Sequence, residues 1–165
     1  MWGAVSLTMS VTKEDLNIAV ENVLQRLIGI TELYPGQMEL LTKLVEKQNV
    51  LYTSPTNSGK SVPPVLLPDV ICELNKIGYD FPANPKVLFI TALNSIQLSL
   101  VGSTKALGIC CAAVTRDNAA VILGSPISVL FISPEVLKLR CVTQLLLKSR
   151  EEFVLKTVDE CHLGK

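Results

Sequence analysis

The chain has 165 residues, 48% apolar and only 18% charged, and its 15 basic and 15 acidic side chains balance to a formal net charge of zero. That composition excludes a disordered chain and a uniformly basic nucleic-acid-binding surface, and the length suits one globular domain. No apolar run is long enough to cross a bilayer, and Met1–Leu7 lacks the basic leader and apolar core of a secretory signal, so no membrane partner and an intracellular location are expected.

Residues 1–11 show no pattern. Thr12 followed by Asp15 resembles a capping box, and Leu16, Val20, Val23, Leu24, Leu27 and Ile28 recur at helical spacing, which predicts an amphipathic helix over about 12–29 stopped by Gly29. Pro35 suits the first turn of a second helix whose apolar stripe is Met38, Leu41, Leu44 and Val45. Gln37 stands near the start of that helix. Its amide is able to donate to and accept from an adenine edge, although a lone Gln is usually surface decoration.

Asn49-Val50-Leu51-Tyr52-Thr53 reads as a buried strand, and Ser61–Ile77 as a helix in which Pro63 and Pro64 fit the first turn and Pro68 threatens a kink. Turn-rich residues 78–85 lead to a strand, Lys86–Thr91, then a helix from Asn94 to about Leu107 and a strand over Gly108–Val114. A short helix, Ala119–Leu123, ends at Gly124. A strand, Ile127–Ile132, stops at Ser133-Pro134. A broken helix over Leu137–Ser149 precedes a last strand, Phe153–Val158. Continuous apolar strands alternating with helices predict an α/β fold with a mostly parallel sheet covered on both faces. Ligands of such sheets sit at the carboxyl ends of the strands, where Ser54–Ser61, Ser133-Pro134-Glu135 and Asp159-Glu160-Cys161-His162 fall.

Five cysteines, Cys72, Cys110, Cys111, Cys141 and Cys161, form no Cys-x-x-Cys pair and lie mostly among apolar residues, so reduced, buried thiols are expected. With His162 the only histidine, a zinc-type site is not expected.

Strand, small-residue loop, Gly59-Lys60-Ser61 and helix together make a phosphate cradle. Backbone amides of Thr56, Asn57, Ser58 and Gly59 would face phosphate oxygens, Lys60 would reach the outer phosphates and Ser61 would ligate Mg2+. The general pattern has Gly where Ser54 stands. Asn57 also replaces a frequent Gly, and Asn tolerates positive φ. The plain alternative is a polar loop that binds nothing. Asp159, ending a buried strand, suits a second Mg2+ ligand, and Glu160 is placed to act as general base on the attacking water.

Asp159-Glu160-Cys161-His162 has the Asp-Glu-x-His form of superfamily 2 helicases, and Leu33-Tyr34-Pro35-Gly36-Gln37 resembles the adenine-reading motif of RecQ helicases. Ser54–Ser61 is similar to motif I of that family, Thr91–Ile96 to a weakened motif Ia, and Phe131–Leu137 to its strand ending in Ser-Pro-Glu. The resemblance implies an N-terminal extension over 1–29 and a partial RecA-like P-loop NTPase domain over 30–165, binding ATP and Mg2+ and tracking DNA 3′ to 5′ in the nucleus. It assigns Gln37 to adenine, Lys60 and Ser61 to phosphates and metal, Asp159 to Mg2+, Glu160 to water activation and His162 to coupling with DNA. The segments Leu93–Ser95 and Ser133–Glu135 would lie along the nucleic-acid backbone. The family's Arg in the adenine motif is replaced around Tyr34, and the Pro of motif Ia is missing at Ala92. The family's coupling motif, second motor domain and arginine finger have no counterpart before Lys165, so unwinding by this chain alone is not expected. Two other readings remain: a non-catalytic helicase remnant that binds nucleic acid or protein, and a small P-loop kinase, for which Arg116, Arg140 and Arg150 are too scattered to form a lid.

Overall fold

Residues 10–53, 55, 58–91 and 94–159 are described by the computed structural model, with 94, 95 and 159 as backbone alone. Seven α-helices, α1 (Lys13–Leu24), α2 (Pro35–Val45), α3 (Val62–Lys76), α4 (Asn94–Ala106), α5 (Ala119–Leu123), α6 (Pro134–Leu137) and α7 (Arg140–Lys148), a 3-10 helix at Arg150–Glu152, and four strands, β1 (Lys86–Thr91), β2 (Cys111–Val114), β3 (Val129–Ile132) and β4 (Phe153–Asp159), make up the described regular structure. All strand pairs are parallel, in the order β2-β3-β1-β4. The α/β expectation with a parallel sheet covered on both faces therefore holds.

Alternation along the strands builds two cores. Val87, Phe89, Cys111, Val129 and Phe131 face α1 to α4. Leu88, Val114, Leu130 and Ile132 face α5 to α7. Each face buries apolar surface, so β1 and β3 are apolar throughout apart from Lys86 and Thr91. Helix α3 lies deepest: every residue from Pro63 to Pro68 is buried, and it packs on α1, α2, β1 and β4. Pro68 sits within the helix, which runs unbroken to Lys76.

Several boundaries differ from the sequence expectation for identifiable reasons. Helix α1 stops at Leu24 rather than near residue 29, because the Ile28 amide donates to the Leu107 carbonyl (3.2 Å) and draws the chain away. Strand β2 starts at Cys111 rather than Gly108: the amides of Gly108 and Ile109 donate back to Lys105 and Thr104 and close α4. The 137–149 helix is two helices, α6 starting earlier at Pro134, and the Thr143 hydroxyl bonds the Leu137 carbonyl (2.8 Å) across the break.

The run 49–53 is not a buried strand. It joins no sheet, Leu51 is 93% exposed, and only Val50 packs on the core. Nor are the thiols uniformly buried: Cys111 is, Cys72 is half-buried, and Cys110 and Cys141 are exposed. Among the described residues no helix is long and apolar enough to cross a membrane.

Polar ties fix α1 to the rest. The Glu73 carboxylate on α3 meets Arg26 (2.9 Å) and Lys76 (2.7 Å). Thr12 caps α1, accepting from the Asp15 amide (3.1 Å), while the Tyr79 hydroxyl donates to Asp15 (2.7 Å) and accepts from the Thr12 amide (3.2 Å). Hydrogen bonds from Tyr79 first and Thr12 second hold the Asp15 carboxyl below its ordinary value. A carboxyl lowered on folding stabilises above its unfolded pKa, and that contribution is lost as pH falls through the lower folded value. Tyr79→Phe should therefore lower the urea midpoint at pH 7, and the difference from wild type should narrow as pH falls below the ordinary carboxylate range toward the lower folded value of Asp15.

Candidate functional site

Residues 58–61 reach α3 at the carboxyl end of the sheet. Helix α3 must run antiparallel to the strands, because its C-terminus leads through a short connection to the amino end of β1. The loop's shape depends on Gly59, whose φ of +70° is left-handed and whose added Cβ would lie 2.6 Å from the Gln37 Nε2. After it the Val62 amide donates to the Gly59 carbonyl (3.0 Å) and the Val65 amide to Ser61 (3.2 Å). Pro63 and Pro64 have no N–H to satisfy. The amides of Gly59, Lys60 and Ser61 remain, three in succession, with no partner among the described residues. The Ser61 side chain makes no cap bond, and the half-buried Lys60 makes no ion pair among the described residues. Consecutive unpaired amides at a helix N-terminus beside an unpaired ammonium form an electropositive cradle suited to an anion.

Gln37 joins this loop to α2. Its Oε1 accepts from the Tyr34 amide (3.0 Å), and its Nε2 donates to the Gly59 carbonyl (3.0 Å), with the Ser58 carbonyl at 3.5 Å. Far from surface decoration, the residue is 6% exposed. Beside it opens a cleft of about 330 Å3, lined by Gly29–Glu32, Tyr34, Gln37, Ser58, Gly59 and Val62. One wall of the cleft is thus loop and the other is the chain entering α2. The 29–32 wall and the exposed Tyr34 ring were not singled out as lining from sequence, since a turn and a lone aromatic carry no periodic signal.

Of the other expected site residues, Asp159 ends β4 in register with Thr91. Ser54, Thr56, Asn57, Leu93, Glu160 and His162 lie outside the described residues. Ser133 is buried and caps α6, accepting from the Val136 amide (3.4 Å). Hydrogen bonds from its own amide and from Ser133 hold the Glu135 carboxyl below the usual range. At the end of β1 the Thr91 hydroxyl is buried and unpaired, an orphan that sequence reading had no means to flag.

A second cleft, about 270 Å3, opens at the amino ends of the strands beside Asp69, Cys72, Lys86, Cys110 and Ser128. Burial pushes the Asp69 carboxyl and the Cys72 thiol up. Its one cation, Lys86, is already held by the Ser125 carbonyl (2.8 Å) and Glu152 (3.1 Å). The chain matches no protein-family model.

The contact between Gly59 and Gln37 gives a thermodynamic test. Gly59→Ala should destabilise by about 1–2 kcal/mol through left-handed strain and the Gln37 clash. Gln37→Ala should remove the clash but not the strain, so the double variant should lose less than the sum of the singles in urea denaturation.

Proposed function

We propose that the chain is the ATP-binding first motor domain of a RecQ-like, ATP-dependent 3′ to 5′ DNA helicase, with a RecA-like P-loop fold. The observation that carries this reading is the run of three unpaired amides at Gly59, Lys60 and Ser61 on the N-terminus of α3, next to a cleft floored by Gln37. The order of the sequence motifs and the α/β parallel sheet support it.

In this reading the amides and the Lys60 ammonium bind the phosphates. Gln37 meets the adenine edge through the second lone pair of its Oε1, while its Nε2 stays on the Gly59 and Ser58 carbonyls. The donor set fits Mg2+: the Ser61 hydroxyl makes no cap bond, and Asp159 stands at the carboxyl end of β4. Mg2+ supplies charge neutralisation at the transferred phosphate. Glu160 holds and deprotonates the attacking water, and His162 couples nucleotide state to DNA. Ser133–Glu135 and the segment near Leu93–Ser95 lie along a single DNA strand, as phosphate contacts that need no base reading.

A second reading, a helicase-derived binding module without turnover, is favoured by one observation: the run leading into the loop lies outside the sheet, with Leu51 93% exposed.

Titration with a fluorescent ATP analogue and Mg2+ tests the first reading. Saturable binding is expected, weakened about tenfold or more in Lys60→Ala and in Gln37→Ala, the loss of a charge-assisted or buried hydrogen bond being worth roughly 1.5–3 kcal/mol. Absence of binding in protein shown to be folded by circular dichroism contradicts nucleotide binding.

A further inference from the structure

The Gln37 amide has its orientation set by backbone groups that cannot change roles. The Tyr34 amide is only a donor, so the side-chain atom facing it at 3.0 Å is the oxygen, Oε1. The Gly59 and Ser58 carbonyls are only acceptors, so the atom facing them, at 3.0 and 3.5 Å, is the nitrogen, Nε2. A flip of the amide would set oxygen against two carbonyl oxygens and nitrogen against an N–H. It would lose all of these bonds at a residue only 6% exposed. A freely turning glutamine presents a donor or an acceptor as its ligand demands; this one is held.

The two ends of the amide differ in what they leave for a ligand. Nε2 lies hard against the loop, where a Cβ on Gly59 would come within 2.6 Å of it. An acceptor brought to that end would also meet two carbonyl oxygens. Oε1 keeps a second lone pair, and Gln37 lines the cleft of about 330 Å3 together with Tyr34 and Gly29–Glu32. The exposed Tyr34 ring at the rim offers a face on which any base stacks, so stacking there does not discriminate between bases. The group that reads the base edge is a single fixed acceptor.

We infer that the cleft selects a nucleotide by an exocyclic amino group and not by the purine ring, an inference that rests on the nucleotide reading. Adenine N6 and cytosine N4 each carry an N–H to donate to Oε1. The O6 of guanine or hypoxanthine and the O4 of uracil would turn one lone pair toward another and leave a buried acceptor unpaired. Adenine N7 is an acceptor and finds no donor on Gln37, because Nε2 is committed to the loop. With the triphosphate anchored at the amides of residues 59–61, an oxo base offers its ring N–H only by turning out of that alignment. The substrate class is therefore the amino-base triphosphates, ATP and CTP, with GTP and UTP disfavoured. Gln37 determines the selection, and the Tyr34 amide and the Gly59 carbonyl fix its sense.

Displacement of a fluorescent ATP analogue from the wild-type chain, with Mg2+ present, tests the inference. Inosine triphosphate should bind about tenfold or more weakly than ATP, and UTP weaker than CTP by a similar factor, through the loss of one hydrogen bond at a buried acceptor. 7-Deaza-ATP, which lacks the N7 acceptor, should bind within about threefold of ATP. In Gln37→Ala the affinities for ATP and inosine triphosphate should come within about twofold of each other. Equal binding of ATP and inosine triphosphate to the wild type overturns the inference and leaves nucleotide binding standing. So does CTP that binds no tighter than UTP, or a preference for ATP that survives in Gln37→Ala. A loss of about tenfold with 7-deaza-ATP also overturns it, since Nε2 would then be reading the purine ring. Failure of every nucleotide to bind, in protein shown to be folded, overturns the nucleotide reading and the inference with it.

Discussion

Burial of α3 against β1 and β4 is the constraint on which the molecule turns. Helices α1 and α2 reach the sheet largely through α3, and the Arg26–Glu73–Lys76 ties fasten the end of α1 to it. Because Pro63 to Pro68 are buried without exception, the helix N-terminus cannot drift, and the amides of residues 59–61 are presented at a fixed height over the sheet. The two prolines of the first turn serve this end. They fill apolar space at positions where an N–H would otherwise need a partner, and leave the unpaired donors gathered just before the helix.

Gln37 carries that order sideways. Its buried amide spans from the start of α2 to the loop carbonyls, so the cleft wall and the cradle move as one piece. Gly59 is required twice over, by its left-handed φ and by the closeness of the Gln37 amide. A ligand touching both the cleft and the three amides would meet groups already oriented, and would lose little free energy to ordering them.

Much of this was legible from sequence. The apolar runs of β1, β3 and β4 could hardly be anything but strands of a covered sheet, and Thr12 with Asp15 marked the start of α1. Gln37 and Gly59, both legible as site residues, meet in the structure, and Lys60 and Ser61 follow Gly59 into α3. What failed depends on partners distant in sequence. An apolar run such as 49–53 has the composition of a strand, but composition does not say whether a free edge receives it. Gly108 and Ile109 look like strand residues until their amides are seen closing α4. The burial of Gln37 follows from the left-handed turn at Gly59, 22 residues away, and not from its own neighbours.

In the proposed function the amides of Gly59, Lys60 and Ser61 receive phosphate oxygens. The most direct measurement is the amide NMR spectrum of the chain during titration with ATP and Mg2+, and in parallel with tripolyphosphate. These three resonances should move downfield and saturate with both ligands, and the Gln37 side-chain amide should move with ATP alone. Resonances that stay fixed while others shift, or that respond only to ionic strength, would contradict it.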